Sequence, residues 1–353
     1  MQSDIKIVVT EMMDQLGLVR LLRRVSASHA GLILALNRVL PLEERSFAFD
    51  PSLVVSEPAF VSLLHLLRQD YQVVHLNDLL ANPRGTGGRP KVAITFDDGW
   101  EDNYRVAFPH LLTQGIPATI FACTGLLDTY QMLPEERFAR LWTKCAAHSA
   151  LEELVEDLNH WGMGKRLNHT LRPLKQYWSQ ELKRMPLTAR LLLLDHFEQR
   201  YQTSPVTSRR FMTWEQVRTM TRTGLVRMGS HTSRHATLPS ETDRDIRREL
   251  EDSRRSLWEH TGEAPEIMTY PNGMWNRRVL DVVRSVGFRT AITDRPGLVS
   301  RHSNLYSIPR IAVQAAVEDL AVRGKMQFSP SRTSIYFFNS WLKSALPVGA
   351  EGF

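Results

Sequence analysis

The chain has 353 residues, 42% of them apolar and 23% charged, which suits a soluble globular protein of one large domain or two ordinary ones. A net charge of +6 admits an anionic partner, such as a membrane surface or an acidic polymer. The arginines are spread through helical-looking segments and no nucleic-acid motif accompanies them, so a solvated basic surface is the simpler reading.

From the amino terminus, "MQSDIKIVVTEMMDQLG" has early acidic residues and lacks the basic start and apolar core of a secretory signal, which points to a cytoplasmic protein, with peripheral membrane contact left open. Residues 1–28 show helical spacing. "GLILALNRVL" reads as one short buried strand, and its "AGLILAL" portion is far too short to span a bilayer. "SEPAFVSLLHLLRQDY" is an amphipathic helix with Ser56 as its N-cap, "QVVHLNDLL" a strand running into a turn, and "ANPRGTGGRP" a loop. The strand "KVAITFDDG", the helix "NYRVAFPHLLTQGI" and the strand "PATIFACTG" follow. Two cysteines, Cys123 and Cys145, make neither a disulfide framework nor a zinc knuckle, and Cys123 reads as a small buried hydrophobe.

From Leu126 to Arg210 only helical periodicity remains, in "PEERFARLWTKCAAH", "ALEELVEDLNHW", "LKQYWSQELKRM" and "LTARLLLLDHFEQRY". Strand–helix alternation then resumes through "LVRMGSHT", "APEIMTYPNG", "FRTAITD" and "YSIPRIAV". The expected organisation is a lead-in over 1–28, an α/β domain over 29–125 and 211–325 with a largely parallel sheet, a helical insertion over 126–210, and a tail over 326–353.

Reactive groups in parallel α/β folds gather at the carboxyl ends of strands, and the polar outliers here stand there: Asp97 and Asp98, His231, "TYPNG" and Asp294. His231 and His235 are four apart, which on a helical turn places both imidazoles on one face. With one aspartate they make a three-ligand site for a divalent ion that leaves positions open for water and substrate. The other aspartate is then free to take a proton from an attacking water, while the ion offsets the repulsion between the two carboxylates. Alone, "DDG" reads more readily as a cap on the following helix; beside the histidine pair it does not.

"TFDDG" with a downstream "HTSRH" resembles the NodB-homology polysaccharide deacetylases, carbohydrate esterase family 4, over about residues 30–125 and 211–313. The resemblance implies a distorted, incomplete (β/α) barrel that removes acetyl groups, usually from N-acetylated sugars. It implies Asp97 as general base and Asp98, His231 and His235 as ligands of a metal, most often Zn2+. "TYPNG" matches the family's third motif in part, with the Asn272 backbone N–H expected at the oxyanion. Thr269 replaces the arginine that orients the base, and Arg310 is the candidate to take that role, a plain salt bridge being the alternative.

One branch of the family takes a general-acid histidine from an early strand in a pattern such as "LHRV". This chain reads "LNRV", with Asn37 at that position, and an amide cannot exchange a proton at neutral pH. Either another group protonates the leaving amine or the chain is impaired. His302 is a substitute candidate, or simply an exposed loop histidine. Trp100, Tyr270 and Trp275 are candidates for contact with sugar rings, although tryptophans at these places also fill barrel cores. The expected activity is N-deacetylation of an amino sugar in a polysaccharide or a lipid-linked glycan precursor. The alternatives are an impaired carbohydrate-binding relative and a deacylase of a non-sugar amide.

Overall fold

Short, densely apolar runs build the centre of the protein, whose computed structural model describes residues 30–163 and 171–313. The lead-in expected over 1–28 and the tail over 326–353 lie outside the described residues. Strands β1 (Leu32–Leu36), β2 (Arg38–Leu40), β3 (Val54–Ser56), β4 (Gln72–Val73), β5 (Lys91–Asp98), β6 (Ala118–Ala122), β7 (Val226–Ser230), β8 (Ile267–Thr269), β9 (Thr290–Ile292) and β10 (Ile311–Ala312) follow one another. Eight of them form one sheet in the order β10-β1-β5-β6-β7-β8-β9, with β4 beside the start of β5. Every pairing in it is parallel. β1 and β6 are buried at each residue, as strands covered on both faces must be. β9 meets only the segment ahead of β10, through the isolated bridge of Ile292 with Ile308 rather than a ladder, and the sheet curls into a distorted and incomplete (β/α) barrel.

Helices α1 (Glu57–Asp70), α2 (Leu76–Ala81) and α3 (Phe108–Gln114) cover the first half of the sheet. Helices α4 (Pro134–Ala147), α5 (Leu151–Leu158), α6 (Leu171–Lys183) and α7 (Leu187–Arg200) occupy the stretch between β6 and β7. They bury a core of their own, in which Phe138, Leu141, Trp142 and Cys145 of α4 meet Trp178 of α6 and Leu193, Leu194 and Phe197 of α7. The three-and-four spacing of those α4 residues is the helical period read in the sequence. Helices α8 (Trp214–Arg222), α9 (Asp243–Thr261) and α10 (Arg277–Val286) complete the barrel's outer layer. No helix among the described residues is long and apolar enough to cross a membrane.

Three local expectations need correction. "GLILALNRVL" is two strands, because the chain leaves the barrel at Asn37 and β2 pairs with β3 in a separate two-stranded sheet. "LNDLLA" is helix α2 rather than a turn, since Leu76 and Leu79, one turn apart, both bury into the core. Ser56 holds the N-cap position of α1 with extended backbone but makes no side-chain cap bond, and Pro58 in the first turn sets the entry instead.

Tight approach of strands before the site rests on Gly229 in β7. A Cβ there would come within 2.3 Å of the Phe121 ring on β6. Phe121 is wholly buried and cannot retreat. Gly229→Ala is therefore expected to cost about 2–3 kcal/mol through overpacking, read as a Tm drop of several degrees in thermal denaturation.

Candidate active site

Successive strand residues face opposite sides of a sheet, yet Asp97 and Asp98 both line one cleft of about 810 Å³ at the carboxyl ends of the strands. The backbone resolves this. Asp98 has a left-handed φ of 71° and Gly99 one of 81°, so the strand turns as it ends and delivers both carboxylates to the same mouth. A side chain at Gly99 would also press on Ala122 of β6, at 3.1 Å from its Cβ. Neither aspartate caps a following helix; both are buried. A cavity of about 590 Å³ at the opposite ends of the strands, lined by Thr119, Val226 and Arg227, holds none of the predicted residues.

Asp98, His231 and His235 come together as a buried group whose ligand atoms all lie within 4.8 Å of one another. Asp98 Oδ1 is 3.4 Å from His231 Nε2 and 3.6 Å from His235 Nε2. Two ligands each about 2.0–2.1 Å from a tetrahedral ion stand about 3.3 Å apart, so the spacing suits zinc. The chemistry of Asp98 fits too: Oδ2 accepts from Trp100 Nε1 at 2.9 Å and Asn37 Nδ2 at 3.2 Å, while Oδ1 is buried without a hydrogen-bond partner. A buried carboxylate oxygen left so is costly unless a cation meets it.

The two histidines do not ride on a helical turn, as their spacing suggested. Residues 232–234 form a turn, and left-handed Thr232 and His235 (φ 65° and 60°) fold the loop back on itself. His231 Nδ1 donates to the carbonyl of Thr269 at 3.2 Å, with the Thr269 hydroxyl 2.5 Å away, which leaves the Nε2 lone pair toward Asp98. Burial lowers the His231 pKa, with Asp97 and Asp98 opposing it only in part. Burial also acts to lower that of His235, but Glu135 and Asp98 outweigh it and the imidazole is raised.

Beside this group, the buried Arg310 clamps Asp97 with both terminal nitrogens, Nη1 donating to Oδ1 at 2.8 Å and Nη2 to Oδ2. The guanidinium is steadied in turn by Asp294, which accepts from Nε at 3.1 Å and Nη2 at 2.6 Å. Burial alone would weaken the charge on Arg310, but Asp97 and Asp294 more than offset this, raising its pKa. Thus Arg310, from just before β10, is the arginine that grips the Asp97 carboxylate, and Thr269 instead contacts a histidine. Asn272 lines the cleft with left-handed backbone (φ 58°), a conformation asparagine tolerates, and its side chain donates to Thr237 Oγ1 at 3.3 Å.

Residues 84–291 match the polysaccharide deacetylase family, well over half of the chain. The chain belongs to that family. In the polysaccharide deacetylase family, YxkH of Bacillus subtilis (strain 168) is 22% identical over 230 residues, covering 65% of this chain and 54% of that protein. The chain thus spans about half the length of this curated relative. Among solved structures, the deacetylase PplD of Streptococcus pyogenes, in complex with acetate, superposes with a TM-score of 0.54 at 18% identity, over 83% of this chain and 96% of that one. A de-N-acetylase from Aggregatibacter actinomycetemcomitans gives 0.51 at 18% identity, over 86% and 98%. IcaB from Ammonifex degensii gives 0.51 at 19% identity, over 84% and 98%. These likenesses establish the deacetylase fold.

Four candidates fall away from the cleft. His302 is exposed in the loop after β9 and does not line the cleft, so it offers no acid there. Trp100 is wholly buried, stacked on Phe211 at 4.7 Å, and its indole N–H serves Asp98 rather than sugar. Tyr270 is wholly buried with its hydroxyl donating to the Tyr306 carbonyl, and the half-buried Trp275 stacks on it outside the cleft lining. Each aromatic follows or sits in a motif, but its ring packs on another aromatic side chain rather than on the cleft. Apolar contact in the cleft comes instead from Phe49, Leu53, Phe138 and Met274. Sequence reasoning also missed the insertion's contribution: Glu135 of α4 and Lys175 and Lys183 of α6 line the cleft, and no motif or spacing marks them.

Proposed function

We propose that the protein is a metal-dependent hydrolase that removes the N-acetyl group from an amino sugar in a polysaccharide or a lipid-linked precursor of a cell-surface glycan. The observation that carries this reading is the pairing of functions within one cleft: a buried, unsatisfied Asp98 Oδ1 facing two imidazole nitrogens, next to an aspartate held in place by an arginine. A set of one carboxylate and two imidazoles suits zinc. Two relatives support the acyl group, since PplD was solved with acetate and the Aggregatibacter protein is a de-N-acetylase.

A divalent ion held by Asp98, His231 and His235 would polarise the acetyl carbonyl and acidify an attacking water. Asp97 takes the proton from that water as its oxygen attacks the acetyl carbon. Arg310 occupies one lone pair on each Asp97 oxygen, so each keeps another for the proton, and the carboxylate cannot rotate away. The Asn272 N–H donates to the negative oxygen that develops on the acetyl carbon. As the C–N bond breaks, the nitrogen takes the proton that Asp97 holds, and acetate and the free amine leave. Among the described residues, no histidine outside the His231 and His235 pair lines the cleft to supply that proton. Zinc-loaded protein incubated with N-acetylglucosamine oligomers and lipid-linked N-acetylated sugars should yield acetate and free amine in equal amounts from at least one of them. Release of neither from any of them by protein with metal bound would contradict the proposal.

Asn37 favours a second reading, an impaired relative that binds glycan without cleaving it. Its side-chain amide, however, donates to Asp98 Oδ2 while its backbone carbonyl accepts from Asn103 Nδ2 at 2.9 Å, so the residue helps position a ligand group. A missing general acid is worth about 10²- to 10⁴-fold in rate. With Asp97 passing the proton on, Asn37→His should leave acetate release within a few-fold of wild type. A rise of the larger size would favour the impaired reading.

A further inference from the structure

The two imidazoles that face Asp98 are held in different ways. His231 is fixed by the barrel itself, through Thr269 on β8. His235 receives no such bond from the barrel: its Nδ1 is buried and has no hydrogen-bond partner within normal length. The group facing it is Glu135 Oε2, 3.6 Å away, which likewise has no hydrogen-bond partner. Glu135 stands in the first turn of α4, inside the helical segment that interrupts the barrel. Its other oxygen, Oε1, lies 3.3 Å from Nη1 of Arg190, a wholly buried residue of α7. Arg190 is fastened to both parts of the protein, donating to the Met185 carbonyl at 3.2 Å and to Thr237 Oγ1 at 3.0 Å. Thr237 also receives the Asn272 side chain.

We propose that the helical insertion completes the metal site, with Glu135 acting as a positioning residue that orients the His235 imidazole through Nδ1. A carboxylate at Nδ1 fixes the tautomer in which Nε2 carries the lone pair, and it strengthens the ring as a ligand. Arg190 holds the carboxylate at that angle and is itself pinned by the connection between α6 and α7 and by a barrel loop. The insertion is therefore more than a cover: unless α4 and α7 are docked, one ligand of three is left unoriented. This inference rests on the metal site of the proposed function and adds the source of its rigidity.

The test is zinc affinity of the full chain, measured by competition with a chromophoric chelator, together with the visible spectrum of the Co2+-loaded protein. Glu135→Gln keeps the size of the side chain and removes the charge, so it should weaken zinc by about 10- to 100-fold and shift the Co2+ bands. The Tm of the metal-free protein is read alongside and should fall, because Arg190 loses its counter-charge. Glu135→Asp, which retains the charge but draws it back, should fall between the two and serves if the glutamine variant does not fold. Glu153→Gln, which breaks an exposed ion pair with Arg200 elsewhere in the insertion, should leave zinc affinity and the Co2+ bands as in wild type. Wild-type zinc affinity and unshifted bands in both Glu135 variants would overturn the inference while leaving the metal site standing. If wild-type protein binds no zinc, the proposed function itself fails.

Discussion

Asp97→Asn is expected to lower acetate release by about 10³-fold while the protein still takes up zinc as tightly as wild type. The amide has nearly the shape of the carboxylate, and Asp294 remains to partner Arg310, so the fold should hold. What disappears is a lone pair able to accept a proton at neutral pH. The separation of the two readouts matters most. Loss of rate with metal retained assigns Asp97 to the proton, whereas loss of both would make it a ligand and undo the division of labour between the adjacent aspartates.

The second large effect concerns Asp98. Asp98→Ala removes the group that both imidazoles face, and should abolish zinc uptake at micromolar metal along with all acetate release. Stability offers an independent reading. Zinc that binds only the folded chain stabilises it by about 4 kcal/mol at a thousandfold excess over Kd, so wild-type Tm should climb with added metal. In Asp98→Ala that climb should vanish, although the metal-free Tm stays close to wild type because a buried charge has gone. A metal-dependent Tm shift that survives in Asp98→Ala would place the ion elsewhere.

How much of this could be read from the sequence follows from how far apart the partners lie. "TFDDG" is local: strand, two carboxylates and a glycine for the positive φ all sit in one stretch. The histidine pair was legible as a pair, but its turn was not, because i,i+4 spacing suggests a helix and the chain reaches the same closeness with two left-handed residues. Arg310 stands 213 residues from Asp97, and only its place near a late strand marked it. Glu135 carried no mark, since "LPEERF" reads as an ordinary acidic first turn and what it faces depends on how the insertion docks. The aromatic candidates failed for a related reason: burial of Trp100 and Tyr270 is decided by Phe211 and Tyr306, which proximity to a motif cannot show. The helical period of the insertion was plain from α4 alone, but its contribution to the cleft was not.

If one ion enables one reaction in one cleft, activity must follow metal occupancy, and a titration tests this most directly. Protein stripped of metal by a chelator should release no acetate from an N-acetylated glycan substrate. Added Zn2+ should restore acetate release in proportion to occupancy, with a plateau at one equivalent per chain. Acetate release by the stripped protein at the same rate would contradict it.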